Sequence, residues 1–227
     1  MSIRFDNVSK TYEGQRQGLI GVSFAIEPGE MVFVTGHSGA GKSTMLRLLS
    51  RMEAPSEGDI EVLGESLSRM RRPAIPAYRR RLGLVFQDHR LLADRSVFEN
   101  VALPLILAGT AEAEMRRRVG AVLEQLGLRG LDGVRPGSLS TGQQQRVGIA
   151  RAIVARPPIL LADEPTGNLD PHLSQEVMQL FLMLGAEGTT VLVASHDLPL
   201  IQRMRRRVLV LDRGRLIDDF RPTKAAA

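Results

Sequence analysis

The 227-residue sequence predicts an α/β protein in which a parallel-sheet core carries a small antiparallel β subdomain and a helical subdomain. Three observations predict it. Several short, continuously apolar runs are separated by helical patterns, which is how strands buried on both faces of a parallel sheet read. One such run passes through a glycine-rich turn directly into a helix. Near the N-terminus, apolar and polar residues instead alternate with the period of two that marks a half-buried strand.

Ile3-Arg4-Phe5-Asp6 and Val22-Ser23-Phe24-Ala25-Ile26 carry that alternation, and Glu27-Pro28-Gly29-Glu30 supplies the turn into the next strand. Met31-Val32-Phe33-Val34 is apolar throughout and leads into the glycine loop, after which Met45, Leu46, Leu48 and Leu49 have helical spacing. Residues 96–139 read as helical. Val97, Val101 and Leu105 share one face, and a second helix over 111–126 aligns Val119, Val122, Leu123 and Leu126 before Gly127 closes it. The helical subdomain is placed at about 88–157, within a single domain of residues 1–227. Pro158-Ile159-Leu160-Leu161-Ala162-Asp163, Thr190-Val191-Leu192-Val193-Ala194 and Val208-Leu209-Val210-Leu211 are the remaining buried strands, and the chain ends soon after the last.

A hydrophobic content of 43% is enough to fill one core. With no cysteine, disulfides, thiol nucleophiles and Cys-ligated zinc are excluded. The longest apolar stretch, Val101-Ala102-Leu103-Pro104-Leu105-Ile106-Leu107-Ala108, is too short to cross a bilayer. Net charge is +5, with arginines clustered at 69–81, 116–118 and 203–207. These clusters read as a solvated face or one near anionic lipid headgroups. Two tyrosines and no tryptophan leave little to stack bases on, so no nucleic-acid partner is expected.

Gly36-His37-Ser38-Gly39-Ala40-Gly41-Lys42-Ser43 matches the phosphate-loop pattern in full, in the strand-to-helix setting that the pattern requires. Such a loop wraps backbone N–H groups around phosphate, the helix starting near Lys42 adds its positive end, Lys42 brings a point charge to the β- and γ-phosphates, and Ser43 offers a hydroxyl to Mg²⁺. Asp163 and Glu164 stand at the tip of a buried strand, where a Mg²⁺-associated carboxylate and a water-activating base are needed. Further on, Leu139-Ser140-Thr141-Gly142-Gln143-Gln144-Gln145-Arg146 precedes Val147, Ile149, Ala150 and Ile153 at helical spacing, with Ser140 as N-cap.

That last stretch resembles the LSGGQ signature of the ATP-binding-cassette (ABC) ATPases, and the resemblance covers essentially the whole chain. It implies a P-loop NTPase core, ATP and Mg²⁺ as ligands, ATP hydrolysis, and a homodimer joined head to tail, with each ATP between one copy's residues 36–44 (Thr44 included) and the other's Ser140 and Gly142. Tyr12 resembles the aromatic that stacks on adenine. Gln87 resembles the glutamine that senses Mg²⁺ and the attacking water. Ser43, Gln87 and Asp163 look like the metal-associated residues, Glu164 like the general base, Asp170 like part of the loop crossing the dimer interface, and His196 like the γ-phosphate switch histidine. Thr141 departs from the glycine usual in the family. Its Cβ restricts backbone angles open to glycine, which predicts modestly weakened ATP-driven dimerisation.

Within the family, Gly36-His37-Ser38, Phe86-Gln87-Asp88-His89-Arg90 and Glu99-Asn100-Val101-Ala102 resemble the FtsE group of bacterial cell-division ATPases. This implies a peripheral protein on the cytoplasmic face of the inner membrane, driving an integral FtsX-like partner that regulates peptidoglycan hydrolysis. ATPases of lipoprotein release and of macrolide or peptide export, which share Pro165-Thr166-Gly167-Asn168-Leu169-Asp170, are the alternative. By analogy, Leu91, Leu92, Val97 and Phe98 are expected either to receive a partner helix or to fill the insert's own core.

Overall fold

The computed structural model describes residues 1–221. Strands β1 (Ile3–Thr11) and β2 (Gln17–Ile26) pair antiparallel, with Phe5 opposite Phe24 and their rings stacked at 4.6 Å. Next come β3 (Met31–Thr35), α1 (Lys42–Leu49), β4 (Glu57–Val62), β5 (Glu65–Ser66), α2 (Ile75–Arg79) and β6 (Leu82–Val85). Three helices follow, α3 (Val97–Leu107), α4 (Glu112–Gln125) and α5 (Thr141–Ile153), all within the span 88–157. The chain then alternates β7 (Ile159–Asp163), α6 (Pro171–Ala186), β8 (Thr190–Ala194), α7 (Leu198–Met204) and β9 (Arg207–Asp212), and closes with β10 (Arg215–Phe220).

The strands form two sheets, ordered β2-β1-β4-β5 and β10-β9-β3-β8-β7-β6. In the second, β3, β6, β7, β8 and β9 run parallel and only β10 is antiparallel. The expected final strand is therefore followed by one more. β10 was hidden because it is an edge: of its six residues only Leu216 is not exposed.

Because strand side chains alternate, the parallel sheet feeds two cores. Phe33, Leu160, Ala162, Val191 and Val193 face α3, α5, α6 and α7, whereas Val32, Val34, Leu161, Leu192 and Ala194 face α1 and the antiparallel sheet. Runs that are apolar at every position are the consequence. The parallel direction also brings the C-terminal ends of β3, β6, β7 and β8 to one edge, which is where open α/β sheets bind their ligands.

Helix α3 begins at Ser96 with a reciprocal cap: Glu99 N–H donates to Ser96 Oγ at 3.2 Å, and Ser96 N–H to Glu99 Oε2 at 2.8 Å. Val97, its first residue, is fully buried, and Leu91 and Phe98 pack half-buried on the same core, so of the four residues considered for docking only Leu92 is exposed. Val97 fills the protein's own core and is unavailable to a partner helix.

Candidate functional site

At that sheet edge lies a cavity of about 910 Å³ lined by residues 35–44, Gln87, Asp163, Glu164 and His196. Four separate strand ends thus deliver the chemistry. Gly41 precedes α1 with φ +114, a conformation that L side chains rarely adopt. The Lys42 ammonium donates to the carbonyls of Gly36 at 2.7 Å and His37 at 3.2 Å, so it lies folded back along its own loop.

Opposite the loop, burial pushes the Asp163 carboxyl above its ordinary value, and the Ser43 hydroxyl bonded to it pulls the other way. Next to it, Glu164 is a non-glycine residue with φ +48, a sparsely populated region that costs about 1–3 kcal/mol. Its N–H donates to the Ala194 carbonyl at 2.9 Å, which ties the strained residue to β8. Its Oε1 lies 2.7 Å from His196 Nδ1. The carboxylate is sheltered at 14% exposure while the imidazole is open at 75%, so the histidine covers the acid from the solvent side.

Gln87 reaches the cavity from the loop after β6, whose next residues His89 and Arg90 both have left-handed φ, at 57° and 46°. Arg151 of α5 holds that loop, donating to the His89 and Arg90 carbonyls at 2.7 Å each. Ser140 caps α5 as its sequence predicts. Gln143 N–H donates to Ser140 Oγ at 3.2 Å, and Ser140 N–H to Gln143 Oε1 at 2.8 Å. Thr141 is the first residue of the helix and has no left-handed φ, so the backbone freedom of glycine is not needed there and the reason for expecting weaker dimerisation falls away. The tighter position is one residue later, where a methyl at Gly142 would sit 3.2 Å from the Asn168 carbonyl oxygen, so the 168–169 backbone would have to give by a few tenths of an ångström.

A phosphate loop facing Asp163 and Glu164, together with a capped Ser-Thr-Gly-Gln helix start, is the arrangement of one known family, and residues 19–167 match its model, described as ABC transporter. The chain is an ABC-family ATPase. It is 53% identical over 216 residues to the cell division ATP-binding protein FtsE of Escherichia coli (strain K12), covering 94% of this chain and 96% of that one. FtsE of Mycobacterium tuberculosis is 46% identical over 220 residues, 96% of each chain. Among solved structures, a dimeric post-hydrolysis state of the ATP-binding cassette MJ0796, bound to ADP and Pi, matches with TM-score 0.92 and 34% identity over 98% of this chain and 100% of that one.

Not every expected site residue of this ABC ATPase lines the cavity. Ser140 and Gly142 lie outside it, at the start of α5 beside Asn168 and Leu169. Asp170 is the N-cap of α6, its carboxylate accepting from the N–H groups of His172 at 2.9 Å and Leu173 at 3.0 Å. Tyr12 stands next to the cavity, its hydroxyl 3.3 Å from Thr44 Oγ1. Sequence reasoning missed Arg16, Gln17 and Gly18, which line the cavity, and Arg151. For the first three the available signal was their position just after Tyr12 and Gly14.

Proposed function

We propose that the chain hydrolyses ATP as a head-to-tail homodimer in a bacterial cell-division complex, working on the cytoplasmic face of the inner membrane with an integral FtsX-like partner that regulates peptidoglycan hydrolysis. The observation that carries this reading is the meeting of residues 36–44, Gln87, Asp163, Glu164 and His196 in one cavity, in a chain so similar to FtsE. The domain is read as a single cassette over residues 1–227, with its helical part at about 88–157.

In this reading the phosphate loop binds the β- and γ-phosphates through its N–H groups, and Lys42 exchanges carbonyl for phosphate oxygens. Ser43, Gln87 and Asp163 offer the hard oxygen donors that Mg²⁺ selects. When bound, Mg²⁺ neutralises charge on the β- and γ-phosphate oxygens. Glu164, aimed by its left-handed backbone, takes the proton of a water that attacks the γ-phosphorus as the bond to the β-phosphate oxygen breaks. His196 orients Glu164 through the 2.7 Å contact and faces the γ-phosphate. Ser140 and Gly142 of the second copy close the site, with Asp170 in the loop that crosses the dimer interface.

The test is the Glu164→Gln variant. A general base contributes about 10²- to 10⁴-fold, so turnover should fall by that factor while ATP binding persists and an ATP-bound dimer accumulates. Full turnover removes Glu164 from the base role. The same variant, trapped with ATP in cells and solubilised, should copurify with an FtsX-like membrane protein. A lipoprotein-release or export permease in its place would make the chain a transporter motor.

A further inference from the structure

We propose that Arg16 is a second stacking residue for the nucleotide base, forming the outer wall of a slot whose inner wall is Tyr12. This rests on reading the cavity as an ATP site. Tyr12 N–H donates to the Arg16 carbonyl at 2.9 Å, closing a five-residue loop in which Gly14 and Gln15 are both left-handed, with φ 73° and 61°. A left-handed glutamine is unfavourable on its own, so the loop is held in a shape its local sequence does not prefer. That shape carries the Arg16 guanidinium back over the Tyr12 ring, 5.4 Å from its centroid.

Lys10 also lies by this ring, with Nζ at 5.0 Å, but the two cations differ. Lys10 is fixed by Glu53 at 2.9 Å and the Ala54 carbonyl at 3.0 Å. Arg16 makes no ion pair and no side-chain hydrogen bond among the described residues, and it is Arg16 that lines the cavity. The ring itself has a fixed place. A methyl at Gly18 would sit 2.7 Å from Tyr12 Cε2 and 2.9 Å from Thr44 Cγ2, so bare backbone there lets the ring lie against Thr44. One wall is therefore packed against Gly18 and Thr44, and the other is a planar cation with no polar partner among the described residues.

A guanidinium is weakly hydrated and stacks on π faces, which a compact ammonium does less well. The ligand that suits a tyrosine facing a free guanidinium beside a phosphate loop is a purine nucleoside triphosphate, its base between the two planes. Binding then exchanges the Arg16–Tyr12 contact for one purine–Tyr12 and one purine–Arg16 contact.

Calorimetric titration of the full chain in the Glu164→Gln background, with ATP and with inorganic tripolyphosphate, tests the assignment. Arg16→Ala should weaken ATP binding by about three- to twentyfold, the range of a partly desolvated cation–π contact, and leave tripolyphosphate binding unchanged. Arg16→Lys should recover only part of the loss. In otherwise unmodified protein, KM for ATP should rise with kcat unchanged. Equal losses for ATP and tripolyphosphate would make Arg16 a phosphate contact and overturn the base assignment, as would an unchanged ATP affinity. If the parent protein binds tripolyphosphate but not ATP, the nucleotide reading itself fails, and this inference fails with it.

Discussion

Replacing Arg151 by methionine should cost about 3 kcal/mol of stability, concentrated in the loop that carries Gln87. Arg151 donates two hydrogen bonds of 2.7 Å to the carbonyls of His89 and Arg90. Bonds from a charged donor contribute about 1.5–3 kcal/mol each, so their sum is about 3–6 kcal/mol. Against this, His89 and Arg90 are both left-handed at about 1–3 kcal/mol each, and a loop that stays tethered at β6 and α3 relaxes one of the two, returning about 1–3 kcal/mol. The balance of about 3 kcal/mol corresponds to a melting temperature lower by about 6–12 °C for a chain of this size. Urea unfolding and thermal melts of Arg151→Met and Arg151→Lys measure it, and hydrogen exchange over residues 87–92 locates it. Adding Arg90→Gly, which accepts left-handed φ without penalty, should recover part of the loss. A loss below about 1 kcal/mol, or one that Arg90→Gly deepens, would refute the idea that the arginine offsets loop strain.

Two further outcomes follow from the site. Thr141→Gly should leave ATPase rate and ATP-driven dimerisation unchanged, with stability altered by less than about 0.5 kcal/mol, because the residue has helical backbone and the two propensities differ by about that much; a rate gain would mean that its side chain obstructs the interface. Asp163→Asn should abolish turnover yet raise the melting temperature at neutral pH. The sign follows from burial, which raises the carboxyl above its ordinary 3.8: the folded state then binds the proton more tightly than the unfolded chain, stability is gained as pH falls into that range, and it is lost as pH rises past the raised value. Melts across pH should show the Asn variant's advantage shrinking as the wild-type carboxyl protonates, and an advantage that grows on acidification would contradict the burial argument.

Motifs were legible where one local rule decides the conformation. Met31-Val32-Phe33-Val34, apolar at every position and broken at once by the glycine loop, reads as the doubly buried strand that it is. Ser140 and Gln143 announce a cap with no help from the rest of the chain. Other elements depend on distant partners. β4 carries Glu57, Asp59 and Glu61, and becomes a strand because Ile60 and Val62 pack under Phe5 and Ile3 across the pairing with β1. The Arg16 and Arg151 contacts were illegible for a related reason. Both depend on left-handed Gln15, His89 and Arg90, of which only the histidine is a type enriched in that backbone.

The approach of Gly142 to Asn168 joins two segments that are 26 positions apart in sequence but so close in space that a methyl would fit only tightly between them. In the proposed head-to-tail dimer, a second copy docking on this surface would meet one moulding and not two loops. Its shape is cast by the helix that Ser140 caps and the one that Asp170 caps, so in the head-to-tail dimer proposed above a side chain added at 142 would press on the 168–169 backbone and shift the print offered to the other copy. Interface variants selected at 168 or 169 should for this reason be recovered together with changes at 142, as matched pairs.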